Sequence, residues 1–236
     1  MKIFLLVFSF ISLLINNAQG ENYMGNQKLK GETLKDANFL GNASLTDVKA
    51  TTLSVLGSLT FHNLTVDNDT DVAGSVIKSK NGTFDNLSVL GKFEARDIIC
   101  KNLAVVGTVT ATNITCKTLE VAGPVTIKGL IVERAASIAG LLTLKDPKDP
   151  KMTHNKLQDL TVSAEKISLE NTSIEGNIQV KQRRNWLGRA KKQILQLKGK
   201  TTVQGTITFE SGKGEIEQGP DVKVKGKITG ATVKMK

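Results

Sequence analysis

Glycine recurs along this chain with a period that few folds can use. It stands at positions 41, 57, 74, 91, 107, 123 and 140, spaced by 16, 17, 17, 16, 16 and 17 residues. A fixed short period is the signature of a solenoid, in which each repeat buries its apolar face only against its neighbours. The same apolar pattern surrounds each glycine. It is clearest in Leu103-x-Val105-x-Gly107-x-Val109-x-Ala111-x-x-Ile114-x-Cys116, and it returns in Leu119-x-Val121-x-Gly123-x-Val125-x-Ile127-x-x-Leu130-x-Val132.

Counted from the glycine, apolar residues fall at +2, +4, +7, +9, +12 and +14. These are three pairs with an internal gap of two, the period at which a strand points alternate side chains inward. The steps of three or four between pairs are corners, where Gly, Asn or Asp accepts unusual backbone angles. One coil of three short strands is therefore a small triangular loop, and it cannot stand alone. Its six inward side chains contribute at most ~1.5–3 kcal/mol each, whereas ordering its backbone costs ~1–2 kcal/mol per residue. Stacking in parallel register supplies the difference. The predicted fold class is all-β, a single-stranded parallel β-solenoid, and separate hairpins in a sandwich would not keep so regular a spacing. Aromatic content of only 4% agrees with a narrow interior.

Residues 1–20 read as a secretory signal peptide, with Lys2 before the apolar block Ile3–Ile15 and Ala18-Gln-Gly20 at the cleavage site. The block is shorter than the ~20 residues of a spanning helix. Cleavage after Gly20 predicts export to the periplasm, the outer surface or the medium. Residues 21–36 read as a linker or cap, 37–144 as the regular solenoid, and 145–156 as a charged, proline-bearing loop projecting from it. Apolar pairs over 157–180 continue the stack, and coils return over 199–236.

Between them, 181–198 is a basic segment in which Trp186, Ala190, Ile194 and Leu197 fall at helical spacing, predicting a short amphipathic helix or insertion over 182–197. Residues 181–236 carry 14 Lys and Arg against four acids, so the whole excess of +10 lies there and residues 1–180 balance to zero. Arg183, Arg184, Trp186, Arg189, Lys191 and Lys192 are the candidate contacts to an anionic surface: lipid headgroups, lipopolysaccharide or an acidic glycan. Laying the apolar stripe of the helix over the solenoid, with the cations solvated, is the competing reading. Nucleic acid fits the segment poorly, because Trp186 is its only aromatic and base stacking uses several.

The chain has two cysteines, Cys100 and Cys116, both at the +9 position of successive coils, where a rise of about 4.8 Å places them as vertical neighbours. Export favours a disulfide between them, and stacked buried thiols are the alternative. Two cysteines without matched ligands do not make a metal shell, and no metal or cofactor is expected. His62 and His154 stand in unlike contexts without triad or zinc spacing. No Gly-x-Ser-x-Gly elbow occurs, and Ser211-Gly-Lys-Gly214 reads as a turn. Seven Asn-x-Ser/Thr sequons, at Asn42, Asn63, Asn68, Asn81, Asn86, Asn113 and Asn171, follow from Asn at corners and Thr on strands.

Units such as Asn86-Leu-Ser-Val-Leu-Gly91, Asn102-Leu-Ala-Val-Val-Gly107 and Thr118-Leu-Glu-Val-Ala-Gly123 resemble the coils of bacterial short-coil solenoids, including bactofilins and exported surface repeat proteins. The resemblance covers most of 37–144 and recurs near 203–230, and it implies a polymer-forming or surface scaffold. Bactofilins act on the cytoplasmic side, and this chain departs from them in its signal peptide and basic segment. The expectation is a non-enzymatic structural or interaction protein of the cell envelope or surface, able to form homo-oligomers or filaments by end-to-end stacking. A polysaccharide-active or acyl-transfer enzyme on a β-helix is the alternative.

Overall fold

The computed structural model describes residues 20–146, 154–182 and 191–236. The chain divides into two compact units, Met1–Thr108 and Val109–Lys236. Each is a parallel β-solenoid, as the glycine period requires. In the first, Leu34 pairs with Ala50, Phe39 with Val55, Val76 with Phe93 and Leu87 with Leu103. In the second, one inward column runs Val125, Leu142, Ile167, Leu195, Ile216 and Val233 through successive register pairs. All but the last of these six are buried.

Residues 21–36 are built into the stack. Glu21–Met24 and Gln27–Lys30 are strands paired in parallel with Ala37–Leu40 and Ala43–Thr46, and Tyr23 stacks on Phe39 at 4.7 Å. The apolar positions of this coil are sparse, which hid its period. Where the coil is most clearly resolved into separate strands, it has three: Lys166–Glu170, Thr172–Ile174 and Ile178–Val180.

The glycine column is set by two constraints at once. Gly41, Gly57, Gly74, Gly91 and Gly107 have φ of 138° to 151°, and an added Cβ would meet the carbonyl oxygen of the preceding column glycine at 1.8–2.2 Å. The backbone of one coil rests directly on the backbone below, leaving no space for a side chain. Gly176, Gly205 and Gly226 form a second such column in the other unit, by contact alone and without positive φ.

Asparagine and aspartate occupy a different corner. Asp47, Asn63, Asn81 and Asp97 are left-handed, with φ of 53° to 57°, a conformation their short polar side chains tolerate. Their amides also bond vertically, Asn63 Nδ2 donating to Asp47 Oδ1 at 2.7 Å and Asn81 Nδ2 to Asn63 Oδ1 at 2.9 Å. Asn42, Asn86 and Asn171 donate in the same way to Asn26, Asp69 and Asp146. The sequon asparagines Asn42, Asn63, Asn81, Asn86 and Asn171 are thus ladder residues.

Seventeen-residue coils absorb their extra residue at a corner. Val76 pairs with Phe93 but Ser79 with Ala95, and the register shift falls at Ile77–Lys78, where Lys78 is left-handed. The buried Ser79 repairs the break, its Oγ donating to Ile77 O at 3.2 Å and accepting from Phe61 N at 3.1 Å.

The expected helix over 182–197 is overturned at its C-terminal end. Residues 183–190 lie outside the described residues, but Gln193–Lys198 is a strand paired with Lys166–Glu170 and with Gly214–Gln218, and Leu195 and Leu197 point inward. Ile194-Leu195-Gln196-Leu197 is short enough to satisfy either period, and two flanking strands provide hydrogen bonds that a helix interrupted by Gly188 cannot match. No helix occurs among the described residues. The segment 145–156, expected to project as a loop, meets the stack at both ends, since strands extend to Lys145 and resume at Asn155, and residues 147–153 lie outside the described residues.

Both insertions are closed by a buried amide. Asn155 accepts from Leu130 N at 3.0 Å and donates to Lys145 O and Glu170 O at 3.0 and 3.1 Å. Gln193 donates through Nε2 to Ala164 O and Lys181 O at 2.9 and 2.8 Å. These bonds satisfy backbone groups that the interrupted ladder leaves open.

Two stability predictions follow from these contacts. Gly74→Ala should lower the unfolding free energy by roughly 3 kcal/mol, from backbone strain and overpacking together, while Ser58→Ala on the same surface should change it by less than about 0.5 kcal/mol. Asn155→Leu should cost about 1–3 kcal/mol by stranding buried backbone groups. Urea titration followed by far-ultraviolet circular dichroism reads all three.

Candidate functional site

Of the sequence-predicted site residues, Arg183, Arg184, Trp186 and Arg189 lie outside the described residues. Lys191 and Lys192 are described, and both are engaged: Lys191 Nζ lies 2.5 Å from Glu165 Oε1 and Lys192 Nζ 3.0 Å from Glu215 Oε2. They tie the end of the insertion to the stack. Glu215 is shared, since Lys234 Nζ also reaches its Oε2 at 2.8 Å. The hydrogen bonds from Lys234 and then Lys192 hold the Glu215 carboxyl below its ordinary range, and Glu215 in turn raises Lys234. Glu217 is likewise lowered, by Lys236 and then Gln196.

Other cations of the C-terminal region are uncommitted. Lys198, Lys200, Lys213, Lys223, Lys225 and Lys227 are exposed and join no ion pair among the described residues. Three of them alternate along Lys223-Val-Lys-Gly-Lys227, Lys223 on the short strand Lys223–Val224 and Lys225 and Lys227 on either side of Gly226 at the corner that follows. Thr202 pairs with Lys223, and Lys225 N donates to Val203 O at 2.9 Å. Gly226 lies on Gly205 at the crest of this corner. The signal for these lysines in the sequence is the Lys-x-Lys-x-Lys alternation, distinct from the arginine-rich segment.

Cys100 and Cys116 are both buried thiols in the apolar interior, at 5% and 1% exposure. His62 and His154 are exposed. His154 borders a groove of about 570 Å³ with Asp146, Asn171, Ser173, Lys200 and Asp221. In it Asn171 is committed to the corner ladder, donating to Asp146 Oδ2 and accepting from Lys200 N at 2.8 Å. No group of three or more His, Cys, Asp or Glu among the described residues is placed to hold a metal ion.

The most displaced carboxyl is Asp71, pushed up to about 6 by burial and then by the neighbouring Asp69 carboxylate, against a lowering hydrogen bond from Ser88. A raised carboxyl favours the protonated folded state, so its contribution is present below the ordinary value of 3.8 and lost as pH rises through about 6. Asp71→Asn should remove the decline in stability between about pH 4 and 6 that this group causes. It should also raise stability at pH 7 by about 1–2 kcal/mol, after allowance for partial solvation. Urea midpoints across pH 3.5–8 check both.

No family model, curated protein sequence or solved structure matches this chain. The repeat grammar shared with short-coil solenoids is matched by the fold, a parallel β-solenoid, and by nothing more specific.

Proposed function

We propose that this protein is an exported structural or interaction protein, a rigid β-solenoid scaffold or spacer of the cell envelope or surface that docks to an anionic partner through its basic C-terminal region. The observation carrying this reading is the commitment of the coil surface to structure. Corner asparagines bond vertically, column glycines stack backbone on backbone, and the core is filled by residues in register. Such a surface resists bending within each unit, because every strand is tied to its neighbours above and below. Net positive charge, by contrast, gathers in residues 181–236.

Support for export comes from the N-terminal sequence alone, the apolar block Ile3–Ile15 before Ala18-Gln-Gly20. Mass spectrometry of the protein from its native cells should return Glu21 as the first residue, with the protein outside the cytoplasmic fraction. Recovery of an intact Met1 in the cytosol would reject export. For the docking half, residues 183–190 are the segment to delete, because a deletion reaching residue 200 would remove the strand Gln193–Lys198 and break the stack. Deleting them should weaken attachment to isolated envelopes at least about threefold in a sedimentation assay, since three arginines are lost.

A further inference from the structure

We infer that the ridge formed by Lys223, Lys225 and Lys227, together with Thr202, Gln204 and Thr206 of the preceding coil, is a binding site for an acidic polysaccharide. The inference rests on the docking reading above and names both its site and its partner. The ridge lies entirely in the unit Val109–Lys236.

Three features define the chemistry. The lysines are free of ion pairs and carried on backbone that is paired to the coil before it, so their spacing is fixed. The three lysines fall within five residues that follow the preceding coil around a corner, Lys223 on the strand and Lys225 and Lys227 on either side of Gly226, which gives a row of cations suited to a linear chain of repeated negative charge. Gly226 at the crest presents no side chain, leaving the corner low between Lys225 and Lys227. Directly beside the lysines, Thr202, Gln204 and Thr206 provide hydroxyl and amide groups, of which Thr206 is oriented by bonds to Asn177 Oδ1 at 2.8 and 2.9 Å.

That neighbourhood separates a glycan from a bilayer. Membrane surfaces are held by basic residues together with apolar groups that enter the headgroup region. The outward residues of the ridge are lysine, threonine and glutamine, and the exposed Val233 and Met235 belong to a different strand, Ala231–Met235, paired with Gly214–Gln218. Sugar hydroxyls and carboxylates answer to hydroxyl, amide and ammonium donors. The occupant that fits is a hydrated, linear polyanion of sugars bearing carboxylate or sulfate groups.

The test uses the full chain and two probes, polygalacturonate and vesicles of mixed phosphatidylglycerol and phosphatidylcholine, with affinity read by calorimetry for the first and co-sedimentation for the second. Lys223→Gln, Lys225→Gln and Lys227→Gln combined should weaken polygalacturonate binding at least about fivefold. Lys78→Gln, Lys80→Gln and Lys128→Gln combined, which remove the same charge elsewhere, should change it less than twofold. Circular dichroism and the urea midpoint establish that both variants are folded, and the triple replacement by arginine should retain binding. Equal losses in the two glutamine triples would overturn the inference by reducing it to net charge, as would binding to vesicles without binding to polygalacturonate. If deletion of 183–190 abolishes polygalacturonate binding while the ridge triple leaves it intact, the ridge is rejected and the docking reading stands. Failure of the wild-type protein to bind either probe rejects both.

Discussion

The contact on which the structure depends is backbone against backbone at the glycine corner. With a would-be Cβ of Gly74 only 1.8 Å from the carbonyl of Gly57, adjacent coils approach as closely there as main chain allows. That approach holds the strands on either side in register, and register is what brings Phe39 over Val55 and Leu87 over Leu103. A side chain at the corner would lift one coil off the next and open the apolar column and the hydrogen-bond ladder together. The regular glycine spacing is thus the cause of the fold as well as its signature.

Irregularity is handled locally. The seventeenth residue of a long coil is expelled at a corner, with Ser79 closing the gap, and the larger insertions are sealed at their bases by Asn155 and Gln193. Because each repair satisfies the few backbone groups it exposes, the stack below and above keeps its parallel register. The parallel register on either side of each insertion is therefore kept.

Electrostatics divides the basic C-terminal region into two roles. Lys192 and Lys234 converge on Glu215, and Lys236 pairs with Glu217, so these cations fasten the last coils to one another. The lysines on either side of Gly226 lack such partners and face water with hydroxyl and amide neighbours. A net charge near the end of a sequence thus conceals a structural set and an available set, and only the second can be offered to a ligand.

The sequence by itself determined the all-β parallel solenoid, its coil length, the inward residues and the corners, because these follow from spacing along one strand and from the conformational freedom of Gly, Asn and Asp. It also placed Cys100 and Cys116 in the interior correctly. It could not determine the state of Gln193–Lys198, whose few residues fit helix and strand periods alike until neighbouring strands decide between them. Nor could it show that Asn155 and Gln193 are buried, or which lysines are spent on Glu215, since each depends on what a distant coil places opposite. Periodicity is local and legible, whereas the pairing of charges and buried amides exists only once the coils are stacked.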